Sequence, residues 1–233
     1  MADQDLLFHS GHRERLRDKL LDNKLTNYEK LELLLTFAIP RRDVRPLARR
    51  LLQKFRGVYY VFTASMDELL SVQGVGPSTA LLIKLVHELM LVYYRELLED
   101  GKILSDPFVI REYCRQLLVG SKMEQVHVLY LGKDKRLIHS ELHSHGDFTH
   151  SGVMPVEISR NAINLHALSV MLVHNHPMSD NDFSNDDIET TELVISHLKP
   201  FGVEVEDHML VKSSGEVISL KECAWMNRSS FNK

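Results

Sequence analysis

From His12 to about Glu99, apolar residues recur at spacings of three and four. Leu16, Leu20 and Leu21 are followed by Leu31, Leu34, Leu35 and Ala38. That period predicts amphipathic helices. Pro40 and Pro46 punctuate the run, Asp67-Glu68-Leu69-Leu70 opens a further helical turn, and Thr79 to Leu98 reads as one long helix. The polar stretch Glu99-Asp100-Gly101-Lys102 then supplies a glycine stop. A helical domain over 1–101 and a second domain over 102–227 are expected.

Beyond the break the periodicity mixes. Pro107 to Leu118 has a helical pattern, and Val126 to Leu131 is β-rich. A turn at Gly132-Lys133-Asp134-Lys135 leads into a second strand from Arg136 to Leu142. Val156 to Ala167 reads as a helix, and Leu168 to Val173 as a short apolar strand covered on both faces. A helix over Asn185 to Leu198, an alternating strand over Val203 to Val211 and a hairpin ending at Leu220 complete the chain. Strands interleaved with helices predict an α/β domain around a mixed sheet.

Composition narrows the classes. The 233 residues are 44% hydrophobic and 26% charged, as in an ordinary globular protein. A net charge of -4 gives no global basic footprint for nucleic acid. The two cysteines, Cys114 and Cys223, form no C-x-x-C pair, so neither a disulfide framework nor a thiolate metal site is expected. No apolar run spans a bilayer, and the acidic start Met1-Ala2-Asp3-Gln4-Asp5 lacks a signal-peptide core, so a cytoplasmic location without membrane association is expected. Histidine is the unusual count, with 13 residues, most of them after position 120.

Those histidines carry the candidate chemistry. His174-Asn175-His176-Pro177 stands where the apolar strand ends, and residues two apart on a strand share a side. Asp187 follows in the first turn of the next helix, brought back by the loop Met178–Phe183. Two imidazoles and a carboxylate are the ligand kind that leaves zinc an open position for an attacking water. Ser184-x-x-Asp187 also matches a capping box, and on that pattern alone capping is the commoner role for Asp187. The full order of elements reverses that preference. A rival histidine group, His143-Ser144-His145 with His139 and His150 nearby, has no following proline and no matching aspartate, so a polar hairpin face is the better reading.

His174-x-His176-Pro177 followed by Ser184-x-x-Asp187 resembles the JAMM (MPN+) metalloprotease motif. The wider sequence is similar to the bacterial RadC proteins, long labelled DNA repair proteins. The similarity lies in Asn175, in Asp187-Ile188-Glu189-x-Thr191, and in Val205-x-Asp207-His208-Met209-Leu210. The resemblance implies a JAMM-like (cytidine-deaminase-like) mixed sheet flanked by helices. It implies one zinc ion on His174, His176 and Asp187, with Ser184 positioning water or steadying an oxyanion. It implies hydrolysis of a peptide or isopeptide bond in a protein or peptide substrate. An upstream glutamate acts as general base in that family, and Glu124, just before the strand at Val126, takes that place. Glu112, Glu141 and Glu157 are the competitors. His208 is expected to orient or pack near the sheet edge without binding metal. Three departures stand out: Met178-Ser179 replaces Ser-Gly, Phe183 replaces a proline before Ser184, and Pro155-Val156-Glu157 lacks the arginine of Pro-Arg-Glu. They put substrate fit, entry or activity in question.

In the N-terminal half, Gly74-Val75-Gly76-Pro77 resembles the hairpin of a helix-hairpin-helix motif. Its glycines permit the tight turn, and the helix that follows could hold a backbone phosphate. Arg41, Arg42, Arg45, Arg49, Arg50, Lys54 and Arg56 form the one dense basic stretch. These features keep a second reading open, a DNA-binding repair or recombination factor in which zinc is structural or vestigial. The plainer alternative for the stretch is a solvated helix face.

Overall fold

The computed structural model describes residues 2–100, 106–145 and 153–223. The chain divides into two compact units, Met1–Leu89 and Met90–Lys233. The division falls inside a long helix, upstream of the boundary expected at 101/102. Leu91, Tyr94, Leu97 and Leu98 explain the difference, because they pack into the core of the second unit.

The first unit is helical. It contains α1 (Ala2–Leu21), α2 (Asn27–Ala38), α3 (Arg45–Phe55), α4 (Val58–Thr63), α5 (Met66–Leu70) and the start of α6 (Pro77–Glu99). Leu31, Leu35, Leu47, Leu51, Leu69 and Ile83 are among its core residues. Capping boxes open α2 at Thr26 and α5 at Ser65. Between α5 and α6 the chain turns through Gly74 at φ 98°, a left-handed conformation that a side chain would strain.

The second unit is a five-stranded mixed sheet in the order β2-β1-β3-β4-β5. Its strands are β1 (Gln125–Leu131), β2 (Leu137–His145), β3 (Ser169–His176), β4 (Glu204–Lys212) and β5 (Val217–Ser219). β3 and β4 are parallel, and the other neighbours are antiparallel. One face carries Leu129, Met171, Val173 and Met209 and is covered by α7 (Pro107–Leu118). The other carries Val126, Val128, Val170 and Leu172 and is covered by α8 (Pro155–Asn164) and α9 (Asn185–Leu198).

β3 continues through His176, three residues beyond the expected end. The ladder pairs main-chain groups whatever the side chain, so His174 opposes Val126 on one side and Leu210 on the other. Pro177 ends the strand by removing a donor. None of the described helices is long and apolar enough to cross a membrane.

Candidate metal centre

Alternation along β3 puts His174 and His176 on the face of Val170 and Leu172, towards α9. Their Nε2 atoms lie 3.3 Å apart. The second imidazole is oriented by a local contact, His176 Nδ1 to the Asn181 carbonyl oxygen at 3.3 Å. A carbonyl only accepts, so Nδ1 carries a hydrogen, and in the neutral ring Nε2 keeps its lone pair for the cluster.

Asp187 arrives through the cap of α9. Ser184 accepts from the Asp187 N–H at 3.2 Å, while Asp187 Oδ2 accepts from the Ser184 N–H at 2.7 Å and from its hydroxyl at 2.8 Å. Capping therefore engages Oδ2 and leaves Oδ1 facing His174 Nε2 at 3.3 Å. His176 Nε2 is 3.7 Å from Oδ2. The same carboxylate closes the helix end and enters the cluster, so the two roles read from Ser184-x-x-Asp187 do not compete.

Glu124 is the fourth member. One oxygen of its carboxylate lies with the two imidazole nitrogens and an Asp187 oxygen, all within 4.8 Å of one another. Asn175 points to the opposite side of β3 from the histidines and is buried. Its Oδ1 accepts from the Gln125 N–H at 2.9 Å, and its Nδ2 donates to the Met123 carbonyl at 3.3 Å. The amide thus grips the main chain on both sides of Glu124. The other candidate glutamates are engaged elsewhere, Glu112 with Arg115, Glu141 with Tyr130 and Asn161, and Glu157 with Arg160.

Electrostatics set the charge states. Burial would raise the Asp187 carboxyl, but the contacts with His174 and His176 and the Ser184 N–H outweigh it and hold the group well below the usual carboxylate range. Burial pushes His174 down and His208 well down, so both favour the neutral ring. His176, half-buried, is raised by its contact with Asp187.

The spacing fits a small tetrahedral cation. Bonds of about 2.0–2.1 Å to nitrogen and oxygen imply ligand–ligand edges of about 3.3–3.4 Å. The two imidazole nitrogens are 3.3 Å apart and Asp187 Oδ1 is 3.3 Å from His174 Nε2, while the approach of His176 is to the other carboxylate oxygen, Oδ2, at 3.7 Å. The donor set could hold a metal, and its nitrogen and oxygen atoms suit zinc.

The surroundings account for parts of the altered loop. Phe183, just before Ser184, packs against the rings of His174 and His208 at 5.7 and 5.1 Å. Asp180 accepts from the Ser213 hydroxyl and the Ser214 N–H, tying the loop to the β4–β5 hairpin. Met178 is 88% exposed on the rim. Among the described residues, the rival histidines make local contacts. His143 Nε2 accepts from the Met154 N–H at 3.0 Å, and His139 stacks on Tyr130. His150 and the side chain of His145 lie outside the described residues.

In the first unit, the basic stretch is partly spent on its own fold. Arg50 donates to the Gln73 carbonyl at 3.0 Å, and Lys54 to the Glu68 carbonyl at 3.0 Å. Arg45 forms a forked pair with Asp43, and its carbonyl accepts from the Tyr28 hydroxyl at 3.3 Å. The space around a Cβ at Gly76 is open.

Comparison with known proteins agrees with this layout. A family model described as a RadC-like JAB domain matches residues 104–225, and one described as a helix-hairpin-helix motif matches residues 60–86. UPF0758 protein FN0909 of Fusobacterium nucleatum subsp. nucleatum is 35% identical over 232 residues, 95% of this chain and 99% of that protein.

Proposed function

The chain belongs to the RadC family, and we propose on that premise that its second domain is a zinc-dependent hydrolase of peptide or isopeptide bonds. The observation that carries the reading is the meeting of His174, His176, Asp187 and Glu124 at one point. His174, His176 and Asp187 would hold the ion. A zinc ion with three protein ligands acts as a Lewis acid and brings the pKa of a water down to about 7.

The remaining work falls to side chains. Glu124, gripped by Asn175 through its flanking main chain, takes a proton from the attacking water and delivers it to the leaving amine. Ser184 keeps Asp187 in place through the cap. Its family role towards a developing oxyanion requires its O–H to rotate out of that cap. Met178 and the loop pinned by Asp180 form the rim that a substrate would meet.

The deciding experiment is metal analysis of purified full-length protein beside Asp187→Ala. We expect about one zinc per chain in the wild type, the occupancy of a three-ligand site, and loss of it in the variant. Equal zinc in both, or none in either, would reject the reading.

A second reading rests on the helix-hairpin-helix match at residues 60–86. There the first unit binds the DNA backbone through the Gly74–Gly76 turn and the α6 N-terminus. Duplex binding should then fall steeply with salt and weaken on Gly74→Ala. A flat salt response would remove it.

A further inference from the structure

We infer that Thr191 and His208 form a directional relay that holds the hydrogen of His174 on Nδ1 and so aims its Nε2 lone pair into the metal site. The inference deepens the metal reading and rests on it for the identity of His174 as a ligand. Three contacts carry it. Thr191 Oγ1 lies 2.6 Å from the Asp187 carbonyl oxygen, 2.7 Å from His208 Nδ1, and His208 Nε2 lies 2.7 Å from His174 Nδ1. Thr191, His174 and His208 are all buried.

Direction follows from counting hydrogens. A main-chain carbonyl has none to give, so the single Thr191 hydroxyl hydrogen goes to Asp187. The hydroxyl oxygen must then accept from His208, which places that ring's hydrogen on Nδ1. His208 Nε2 is left with a lone pair and accepts from His174 Nδ1–H. His174 Nε2 therefore presents a lone pair towards Asp187 Oδ1 and His176 Nε2, each 3.3 Å away. The reverse order would set the Thr191 hydroxyl and the Asp187 carbonyl 2.6 Å apart with no hydrogen between them.

The consequence is a site that resists closing on itself. Were His174 to carry its hydrogen on Nε2, it would donate to Asp187, and the pair would satisfy each other without an ion. The relay removes that option and leaves three lone-pair atoms facing one another, an arrangement that a cation relieves. The fold supplies the parts cheaply. Thr191 is one helical turn beyond Asp187 on α9, and His208 sits on β4 beside β3. Thr191 and His208 are positioning residues, since neither reaches the reacting atoms.

The test compares Thr191→Val with Thr191→Ser, each checked for folding by thermal melting, with His208→Gln as a third variant. Zinc affinity is read by competition with a chelating dye. Thr191→Val and His208→Gln should weaken zinc by roughly 10–100-fold, the usual reach of a residue behind a ligand, and Thr191→Ser should restore it. Long-range nitrogen–proton spectra of histidine-labelled wild type should show the hydrogen on Nδ1 of both His208 and His174, with and without zinc. Hydrogen on His208 Nε2, or Thr191→Val binding zinc as tightly as wild type, overturns the relay. A wild type that binds no zinc rejects the metal reading instead, and the spectrum of the metal-free protein still decides the relay.

Discussion

Two helix caps, one in each unit, use the same chemistry to different ends. At α2, Glu29 Oε2 accepts from the Thr26 N–H and hydroxyl at 2.8 and 2.9 Å, and Oε1 meets Lys19 at 2.6 Å near the surface. At α9, Asp187 Oδ2 accepts from the Ser184 N–H and hydroxyl at 2.7 and 2.8 Å, but Oδ1 faces a buried imidazole. The first carboxylate is finished by a lysine that water can replace. The second is finished only by what enters the cluster. The same contrast separates the hairpin, where Arg50 and Lys54 satisfy carbonyls of their own chain, from the sheet edge, where donor atoms converge on shared space. Polar groups that close on each other build scaffold, whereas polar groups held apart in a buried place mark a ligand site.

The largest expected effect separates chemistry from scaffold. Glu124→Gln should keep zinc and folding yet lower turnover by roughly 10²–10⁴-fold, the usual contribution of a general base. Activity of the variant within twofold of wild type would remove Glu124 from the mechanism. Asn175→Ala comes next. It leaves the buried Gln125 N–H and Met123 carbonyl without the amide, at a cost of about 1–3 kcal/mol in stability. Turnover should fall with it while zinc content holds. Denaturant titration and metal analysis of the same samples check both halves.

How much of this was legible in the sequence depends on distance along the chain. The i, i+2 histidines and the i, i+3 cap are local geometry, so strand and helix periods alone say that His174, His176 and Asp187 can meet. Glu124 needed the family resemblance, because its approach depends on the β1–β3 register that sets Val126 opposite His174. The grip of Asn175 and the reach of His208 rest on pairings across β1, β3 and β4, which no local pattern encodes. Two members of the basic stretch are a related case. Arg50 and Lys54 look like free charges in sequence, but the end of α5 and the turn after it leave carbonyls that need donors. The division between the compact units lies upstream of the polar break at 99–102 because apolar turns of α6 pack into the second core.

The metal-free protein offers a smaller, pH-dependent test. His174 and His208 have folded-state pKa values below their unfolded ones, chiefly through burial. Such groups give stability that is full above the unfolded value, near 6.5, and is lost as pH falls below it. Asp187 is lowered too, so its contribution is present above the unfolded value near 4 and fades in stronger acid. His176 is raised, which works in the opposite sense and fades as pH rises through its folded value. The net expectation is falling stability below about pH 6.5, with at most about 1.4 kcal/mol per pH unit for each histidine that gains a proton. Urea titrations between pH 8 and 5 measure it. His208→Gln should flatten the slope, and an unchanged slope would detach it from this ring.

The smallest effect tests the opening contrast most directly. Removing the cap hydroxyl by Thr26→Ala, Ser65→Ala or Ser184→Ala should cost about 1 kcal/mol each in the metal-free protein, since all three make the same bonds to a helix N-terminus. Zinc then tells them apart. Excess zinc stabilises the folded state according to its affinity, so a variant that leaves the site intact gains as much as wild type does. Thr26→Ala and Ser65→Ala should show that full gain. Ser184→Ala should gain less, because the hydroxyl that holds Asp187 Oδ2 also fixes where Oδ1 points. Equal gains for all three would mean that the α9 cap ends a helix and does nothing for the cluster. The two caps would then differ in surroundings alone.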